Sequence, residues 1–586
     1  MLMPVIATDF VPAELDAARW ENAAPYFTAL LERPVNSAED LERWLKDRSE
    51  LEAACSESET ILHINMTCHT EDEAAQRAWT AYIETVPPKL KPAQFELDKR
   101  QAAMSERFGL VSRPGGRYLV LTRGTKAEVE LFRPENVPIQ TELAKLDQKF
   151  QQITGAMTVE FDGREQTLPM MGRYQESTDR AVRESAWRAV AARRLKDAEA
   201  LDAIYDEMIV LRERVARNAG FAGFVPYAFK AKHRFDYGPE HCRAFHAACE
   251  RVIVPFARRL GAKRRADLGL AARGEPLRPW DLAVDAKGRP PLRPFTGGAE
   301  LMRKSVRAFE RLDPSLAAML ATLGDGSNAN GAAGGACLDL DTRKGKAPGG
   351  YQAMRDRARR PFIFMNAAGL HRDVETMVHE AGHAFHSMLC VDEPLLAYRG
   401  SPTEFAEVAS MSMELLTTPY WGAFYPDAGD RARAVRQQIE KSVSLLPWIA
   451  QIDAFQLWVY GAPKHSRAER TAAWLDLDGR LGPDVSWAGL EGIRTKSWQR
   501  QLHLFSVPLY YIEYGIAQLG AIQLWVRSLE EGEKTAIAAY KKALALGGSR
   551  PLPELFAAAG LTFDFGPEMV SRLLERVERE LEKLPE

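Results

Sequence analysis

Two histidines and a glutamate in the segment 379–383 have a spacing that could hold a metal ion. The segment reads His-Glu-Ala-Gly-His, and an α-helix turns by about 100° per residue, so His379 and His383 would lie about 40° apart on one face. Two imidazoles placed in this way can bind one zinc ion, and Glu380 beside them could act as a general base. Matches of this length also arise by chance, since a histidine on a helix is commonly an ordinary surface or core residue. The motif is therefore a hypothesis that the surrounding residues must support.

The residues around this motif predict an amphipathic helix. Apolar side chains fall on the arc opposite the histidines, as they do when a helix buries one side; they are Val374, Met377, Val378, Ala381, Phe385, Met388 and Leu389. Gly382 lies inside this helix, where glycine costs about 1 kcal/mol relative to alanine, so we expect another backbone to approach closely there. His386 lies too far along the helix to share an ion with His379, and we interpret it as a residue behind the ligands or beside the substrate. Asp373 or Glu375 could orient a ligand histidine.

A catalytic zinc site needs a third protein ligand, and the next segment offers carboxylates for that role. This segment is predicted to be a second helix, with Ser401 or Thr403 as its cap. One polar stripe runs along the helix and consists of Glu404, Glu407, Ser410 and Glu414. A buried polar stripe needs a partner, although any one of these glutamates could instead be a solvated surface residue. We choose Glu407 as the third ligand.

The two helices together resemble the thimet oligopeptidase family of zinc metallopeptidases, and within it the oligoendopeptidase F branch. The resemblance rests on residues 379–386 and 404–410, and it continues over residues 343–351, 360–366 and 230–237. It implies a mostly α fold: a helical ellipsoid with a zincin-type catalytic core, a small β-sheet and a deep substrate channel. It also implies one Zn²⁺ ion per chain and short peptides as substrates.

A second group of candidate catalytic residues lies around Pro508 in the C-terminal part of the chain. Pro508 is well placed to open a helix, and Tyr510, Tyr511 and Tyr514 could then point together. By the resemblance, His503 and Tyr514 would hold the substrate carbonyl and stabilise the oxyanion, with Tyr510 and Tyr511 as further candidates. The spacing between His503 and the tyrosines differs from that of the thimet branch. Aromatic packing in a core helix is therefore an equal alternative for Tyr510 and Tyr511.

Gly349, Gly350 and Tyr351 are candidates for contact with the substrate backbone. The segment 360–366 is predicted to be a strand next to the histidine helix. In zincins an edge strand at this place pairs with the extended substrate, which is a case of strand addition. A Gly-Gly pair is more commonly a tight turn, so both interpretations of residues 349–351 stay open.

The length, charge and cysteines of the chain are typical of a large cytoplasmic enzyme. The chain has 586 residues and a net charge of −3, which gives no electrostatic case for nucleic acid or an anionic membrane as a partner. Its six cysteines are scattered without a C-x-x-C pair, which favours reduced thiols over a disulfide scaffold or a zinc knot. No stretch has the length and apolar character of a signal peptide or a membrane span. We expect a cytoplasmic protein whose partners are short peptides.

Three regions are predicted along the chain: an N-terminal helical region at residues 1–110, a small β-containing insertion at residues 111–175, and a zincin-type catalytic region at residues 176–586. In the first region amphipathic helices should break near Pro87. In the second, residues 117–122 are a strand candidate, and residues 157–168 should form a hairpin around an Asp-Gly turn. In the third, residues 179–219 should form one long helix, because breakers are few.

The chemistry expected from these residues is hydrolysis of internal peptide bonds. A metal-activated water would attack the carbonyl, while Glu380 would accept its proton and pass it to the leaving amine. One alternative is removal of C-terminal dipeptides on the same scaffold, which would need a cation placed to meet the substrate carboxylate. The other is a peptide-binding protein without enzymatic activity, which would have no need for the base Glu380.

Overall fold

The structure is predominantly helical and contains two small β-sheets. It is a computed structural model that describes residues 10–112, 116–168, 170–327, 336–343, 346–347 and 349–585. The mostly α fold class with a small sheet is therefore confirmed. Residues 344, 345 and 348, which belong to the segment 343–351 named above, lie outside the described residues.

The N-terminal part of the chain consists of helices that share a core of their own. These helices are α1 (Trp20–Glu32), α2 (Ala38–Cys68), α3 (Glu73–Thr85), α4 (Pro87–Arg107) and α5 (Leu119–Leu131). The next helix, α6 (Asn136–Gly155), contributes Leu146 and Phe150 to a second, larger core. Pro87 stands at the first position of α4, where its missing N–H is tolerated, so the predicted break is confirmed. The strand predicted at residues 117–122 is wrong, because Leu119 begins α5. Thr122 and Thr125, three residues apart, are both buried on one face of α5, and a short apolar run does not by itself distinguish helix from strand.

The hairpin predicted after these helices is confirmed. Strands β1 (Thr158–Phe161) and β2 (Arg164–Thr167) pair antiparallel, and Asp162 and Gly163 between them both have positive φ, as the favoured two-residue hairpin turn requires. The helices that follow are α7 (Gly172–Gln175), α8 (Arg180–Lys196) and α9 (Ala198–Asn218). The single long helix predicted for residues 179–219 is therefore wrong. The chain leaves the helical path at Asp197, which separates α8 from α9. Aspartate is unfavourable inside a helix, although it is a weaker breaker than glycine or proline.

A three-stranded sheet leads directly into the helix that carries the histidines. The middle of the chain contains α10 (Phe224–Ala231), α11 (Pro239–Ala248), α12 (Val254–Asp267), α13 (Gly298–Leu312), α14 (Pro314–Ala321), β3 (Leu338–Asp341), β4 (Tyr351–Arg355), β5 (Arg360–Ala367) and α15 (His371–Leu389). Strand β5 is central, parallel to β3 and antiparallel to β4. The strand predicted at residues 360–366 is confirmed, and β4 is an edge strand.

The C-terminal part of the chain packs helices around α15. They are α16 (Thr403–Leu416), α17 (Ala428–Ser444), α18 (Leu446–Gly461), α19 (Arg467–Leu481), α20 (Glu491–Thr495), α21 (Leu502–Ser506), α22 (Ile512–Glu530), α23 (Glu533–Leu544), α24 (Leu552–Ala558) and α25 (Pro567–Lys583). Helix α16 is packed between α15 and α22. One large core, which reaches from Leu146 to Leu581, therefore surrounds the helices that carry the candidate site.

The cysteines and the helix lengths bear on the expected setting of the protein. All six cysteines are buried, and no disulfide joins them, as the sequence predicts. Among the described residues, no helix is both long enough and apolar enough to cross a membrane.

The division into three regions stays a prediction. The N-terminal core also includes Leu395 and Tyr398, which follow α15 in the chain.

Candidate active site

Helix α15 holds both histidines on the face away from its buried apolar side. The predicted apolar arc is confirmed, since Val374, Met377, Val378, Ala381, Phe385 and Met388 are buried and Leu389 packs against the core. Asp373 caps the helix, because its Oδ2 accepts hydrogen bonds from the backbone N–H groups of Ala368 and Leu370. Glu375 instead pairs with Lys441 at 2.7 Å. Neither carboxylate therefore takes the predicted role of orienting a ligand histidine.

Gly382 is the point at which α15 and α16 touch. A Cβ added to Gly382 would lie 2.5 Å from the carbonyl oxygen of Ala409 and 2.6 Å from the Cα of Ser410. Only glycine permits this distance between two helix backbones. The close approach predicted at Gly382 is confirmed, and it brings the polar stripe of α16 to the histidines.

His379, His383 and Glu407 converge on one point. Their ligand atoms all lie within 4.8 Å of one another. The Oε2 atom of Glu407 is 3.4 Å from Nε2 of His379 and 3.5 Å from Nε2 of His383. Two imidazoles and one carboxylate are a typical ligand set for a catalytic zinc that keeps a further position open. The residues present therefore fit a zinc ion.

The other members of the polar stripe on α16 support this ligand set or turn away from it. Glu414 accepts a hydrogen bond from Nδ1 of His379 at 2.7 Å, which leaves Nε2 free as the ligand atom. The hydroxyl of Ser410 donates to Oε2 of Glu407 at 2.9 Å. Glu404 points elsewhere and accepts from the hydroxyl of Tyr237 at 2.6 Å.

The acidic and basic side chains of the candidate ligand set shift each other's pKa values. Burial works against the charge of Glu407, but its bonds to the two histidines hold the pKa of this carboxyl well below its usual range. Burial likewise disfavours charge on His379, but Glu407 and Glu414 raise the pKa of that imidazole well above its ordinary value. A proton and a metal ion compete for the same lone pair of His379. The site therefore attracts a cation, and metal binding there should release a proton.

Glu380 lies beside the ligands without binding to them. Its side chain is buried, and among the described residues its Oε2 atom has no hydrogen-bond partner. Burial raises the pKa of this carboxyl. A Cβ added to Gly350 would lie 3.9 Å from Oε1 of Glu380. The carboxylate of Glu380 therefore faces the residues that precede the edge strand β4.

The three residues of the predicted substrate segment have different surroundings. Gly349 has a φ of 103°, as a turn glycine does. Gly350 packs against α15, since a Cβ there would lie 3.3 Å from Cγ2 of Thr376. Tyr351 stacks on Phe364, with ring centroids 4.8 Å apart, and its hydroxyl lies 2.6 Å from the hydroxyl of Thr67 in α2. Of the two glycines, only Gly350 would place a Cβ within 4 Å of Glu380.

His503, Tyr510, Tyr511 and Tyr514 form one cluster, which we call the aromatic wall. The ring of His503 lies 4.9 Å from that of Tyr511 and 5.8 Å from those of Tyr510 and Tyr514, measured between centroids. The tyrosines thus point together, as predicted. Burial is the main cause of the pKa shifts of His503, Tyr510 and Tyr514, and the negative charge of Glu407 acts on all three groups: it adds to the rise for the two tyrosines and opposes the fall for His503. The aromatic wall therefore adjoins the candidate ligands.

The chain reaches the aromatic wall through a turn, and the helix start predicted at Pro508 is wrong. Helix α21 ends before Pro508, and α22 begins after Tyr511. Leu509 between them has a φ of 57°, in the left-handed region that ends a helix. The N–H of Leu509 donates to Oε1 of Gln456, and its carbonyl accepts from Nη2 of Arg234, both at 2.6 Å. These two buried side chains hold the turn.

The aromatic wall presents hydrogen-bond donors. The side-chain amide of Gln501 donates to Nδ1 of His503 at 2.6 Å, so the proton of the neutral imidazole lies on Nε2. Burial lowers the pKa of His503, which favours this neutral form. Burial also raises the pKa of Tyr514 far above neutral pH, so its phenol keeps its proton. Nε2–H and the phenol can therefore donate to a developing oxyanion.

The start of α16 differs from expectation, whereas His386 occupies one of the two positions expected for it. Pro402, and not Ser401 or Thr403, is the residue before α16, and no side chain caps the helix. The hydroxyl of Ser401 is used elsewhere: it donates to the carbonyl oxygen of Gly547 and accepts from Nε2 of His386, both at 3.0 Å. His386 is therefore buried behind the ligands. Burial, with a smaller contribution from His383, lowers the pKa of His386 to about 4.

Sequence reasoning missed the contribution of Arg234 to the site. Arg234 is buried, donates to Oε1 of Glu513 at 2.6 Å, and lies 3.7 Å from Glu404. It thereby ties α16 and α22 together at the turn that carries the aromatic wall. The segment 230–237 resembles the oligoendopeptidase F branch, which was the available signal, but a charged run is more usually a solvated surface.

Solved structures share this fold over nearly the whole chain. An X-ray structure of a protein named as an oligoendopeptidase F is 27% identical, covers 99% of this chain and 99% of its own, and has a TM-score of 0.88. PZ peptidase A with an inhibitor is 27% identical, covers 98% and 99%, and has a TM-score of 0.86. An oligoendopeptidase F structure from Bacillus anthracis, at 23% identity and a TM-score of 0.82 over 97% and 96% of the chains, shows a likeness of fold.

Sequence comparison also finds proteins named oligoendopeptidase F, over shorter stretches. Chromosomal oligoendopeptidase F of Lactococcus lactis subsp. cremoris is 23% identical over 264 residues, which are 42% of this chain and 42% of that protein. The chain thus spans less than half the length of this curated relative. The Peptidase M3 N-terminal domain matches residues 10–119, and Peptidase family M3 matches residues 173–572, which include every ligand and the whole aromatic wall. With most of its length matched in this way, the chain belongs to Peptidase family M3, in the oligoendopeptidase F branch.

Proposed function

We propose that this protein is a zinc-dependent endopeptidase that hydrolyses internal peptide bonds of short oligopeptides. One observation carries the proposal: the ligand atoms of His379, His383 and Glu407 lie within 4.8 Å of one another, beside a carboxylate oxygen of Glu380 that has no hydrogen-bond partner in the described part of the chain. Membership of Peptidase family M3 and the oligoendopeptidase F relatives support peptides as substrates. The buried, unlinked cysteines favour a reducing cytoplasmic setting.

The three ligands and their supporting groups suit a zinc ion, one per chain. When bound, zinc supplies Lewis-acid chemistry that activates a water molecule and polarises the substrate carbonyl. The chain itself keeps the ligands in position. Glu414 fixes the orientation of His379, and Ser410 that of Glu407.

Glu380 is the proposed general base. It lies next to His379 in α15 but takes no part in the ligand set. Its Oε1 faces Gly350, the residue that directly precedes β4. From this position Glu380 would accept a proton from the attacking water and deliver it to the leaving nitrogen. A buried carboxylate oxygen without a partner is the exception in folded proteins, so its retention favours a chemical role.

The aromatic wall would stabilise the negative charge that develops on the substrate carbonyl oxygen. Tyr514 is the proposed phenol donor, and Nε2–H of His503 the second donor. Tyr510 and Tyr511 each pack on Tyr514, with ring centroids 5.3 and 5.5 Å away. We propose that Tyr510 and Tyr511 hold the ring of Tyr514 in place and also contact the substrate directly.

The edge strand β4 would bind the substrate backbone. In the described part of the sheet, β4 pairs with β5 along one side, so its other side is available for an added strand. Gly350 is the residue at which this strand passes Glu380. We therefore propose that an extended peptide lies along Gly349, Gly350 and Tyr351, with its scissile carbonyl near Glu380.

A digest of a mixed peptide library tests this function. We expect internal cuts, about one zinc per chain as a single three-ligand site implies, loss of cleavage with a chelator and recovery with zinc. His383→Ala, which removes a ligand, should lose both the zinc and the cleavage. Full activity without metal would contradict the zinc site. Cuts confined to C-terminal dipeptides would indicate a dipeptidyl carboxypeptidase, and binding without cuts a peptide-binding protein.

A further inference from the structure

A cavity of about 720 Å³ lies beside the candidate active site. His371 and Glu375 at the start of α15 line one side of it, and Trp448 and Arg500 line another. The indole N–H of Trp448 donates to Oε1 of Gln501 at 3.3 Å. Because the same Gln501 donates to His503, hydrogen bonds connect this side of the cavity to the aromatic wall.

Arg500 lines this cavity without an anionic partner. Its guanidinium carbon lies 4.7 Å from the centre of the Trp448 ring. No hydrogen bond or ion pair links it to another described residue. The side chain is exposed, yet the protein surrounds it closely enough that burial lowers the pKa of its guanidinium. The guanidinium is thus solvated inside a cavity whose walls surround it, and its donors are open to a ligand that enters.

The charged groups around Arg500 do not supply it with a free acid. Asp478 acts on Arg500, but it already binds the side chains of Arg494 and Gln451. Arg194 lies close by, and burial together with the positive charge of Arg500 lowers the pKa of Arg194. The side chain of Arg194 likewise has no hydrogen bond or ion pair with a described residue. Two neighbouring guanidinium groups without an acid favour an anion between or beside them.

Three other cations of the same cavity already have acidic partners. Three ion pairs show this: Lys441 with Glu375 at 2.7 Å, Arg436 with Glu440 at 3.2 Å, and Arg433 with Asp285 at 3.5 Å. Arg500 differs from these three cations because the N–H donors of its guanidinium have no partner among the described residues. Arg500 therefore provides an unpaired guanidinium at the end of the cavity next to the aromatic wall, whereas the exposed Lys287 lines the same cavity as a single ammonium group.

We propose that Arg500 binds a carboxylate of the peptide substrate, with Arg194 adding positive charge behind it. This inference rests on the proposed peptidase function and adds a determinant of substrate choice. A guanidinium matches a carboxylate with two parallel hydrogen bonds, and stacking on Trp448 holds its plane. The carboxylate could be the C-terminus of the peptide or an acidic side chain. Either would fix the distance between that carboxylate and the cleaved bond.

Two sets of matched peptides test the role of Arg500. The first set has one sequence in several lengths, ending in a carboxylate or a carboxamide; the second ends in a carboxamide and carries Glu or Gln at one position. For one of these pairs we expect the wild type to prefer the charged peptide, through a lower KM. Arg500→Gln should reduce that preference on the order of tenfold, the scale of one charged hydrogen bond. The pair that responds identifies the source of the carboxylate.

Two further variants make the test specific. Arg500→Lys should keep part of the preference, because it keeps the charge and loses the fork. Lys287→Gln should keep all of it, since Lys287 is an exposed lysine that lines the same cavity. Each preference is a ratio measured on one preparation, so partial misfolding of a variant cancels.

The outcomes separate this inference from the proposed function. No preference for a charged peptide in the wild type, or the same preference in Arg500→Gln, would overturn the role of Arg500 while cleavage continues. If nothing is cleaved, the proposed function fails. Fluorescence anisotropy then compares the binding of the charged and neutral peptides to the wild type and to Arg500→Gln, and equal affinities throughout would overturn the role.

Discussion

The Oε1 atom of Glu414 lies 2.7 Å from Nδ1 of His379. Glu414 follows the proposed ligand Glu407 by seven residues, which is two turns along the same face of α16. One helix therefore supplies both a ligand to the metal and the acceptor that fixes the tautomer of another ligand. Gln438 completes this arrangement by donating to Oε2 of Glu414 at 2.9 Å.

Glu414→Gln should weaken zinc binding. The amide keeps the shape of the side chain but removes the negative charge that orients and polarises His379. Loss of such a supporting partner typically weakens metal affinity by about 10- to 100-fold. Competition with a chromogenic chelator measures it, with Glu533→Gln as the control, because Glu533 binds Tyr420 and touches no ligand. Equal zinc affinities in both variants would argue against the role of Glu414.

Gly382→Ala should separate the two helices that carry the ligands. Its Cβ would collide with the backbone of Ala409 and Ser410 at 2.5 and 2.6 Å. Overpacking of this kind costs about 1–3 kcal/mol of unfolding free energy, and the displaced Glu407 should also bind zinc more weakly. Denaturant melts and chelator competition measure the two effects.

Gly479→Ala is the matched control for this substitution. Gly479 lies inside α19, and a Cβ there meets nothing within 4 Å. Alanine should leave stability unchanged or raise it by up to about 1 kcal/mol. If Gly382→Ala behaved like Gly479→Ala, the close contact between α15 and α16 would not be required.

Tyr514→Phe should lower kcat and leave KM nearly unchanged. The phenol is proposed to bond the oxyanion more strongly than the ground-state carbonyl, and such an interaction appears in kcat. One donor of this kind contributes about 3 kcal/mol. Steady-state kinetics on a quenched peptide decide it, with Tyr510→Phe and Tyr511→Phe as comparisons. An unaltered kcat would pass the role to one of those two residues.

His386 should make the metal-free protein less stable in acid. Its pKa is about 4 in the folded chain, against an ordinary value of 6.5. Between these values the unfolded chain binds more protons, so stability is full above pH 6.5 and falls as the pH decreases to 4. The loss is up to about 3 kcal/mol. Denaturant titrations at pH 7.5 and 5 should show a smaller fall for His386→Gln than for the wild type, and equal falls would contradict this origin.

The sequence predicts the ligand set because that information is local. His379 and His383 share a helix face by spacing alone, and Gly382 signals a close contact through its cost in a helix. Glu407 follows from the need for a third ligand on the next polar stripe. Each of these expectations depends on the geometry of a single helix, which the chain specifies over a few residues.

The features that the sequence does not predict depend on distant contacts. Leu509 adopts a left-handed turn because Gln456 and Arg234, far along the chain, bond its backbone. The unpaired state of Arg500 depends likewise on which acids other arginines occupy. Residues 117–122 resemble a strand, yet α5 packs on α4, so tertiary packing overrides local preference there.

The most direct test of the central claim is a single comparison of zinc content and kcat in Glu380→Gln. The amide keeps the packing and the three ligands but cannot accept a proton. We predict about one zinc per chain, as in the wild type, with kcat reduced on the order of 10²-fold or more. A variant that turned over peptides at the wild-type rate, or that lost its zinc, would contradict the assignment of Glu380 as the base beside a three-ligand metal site.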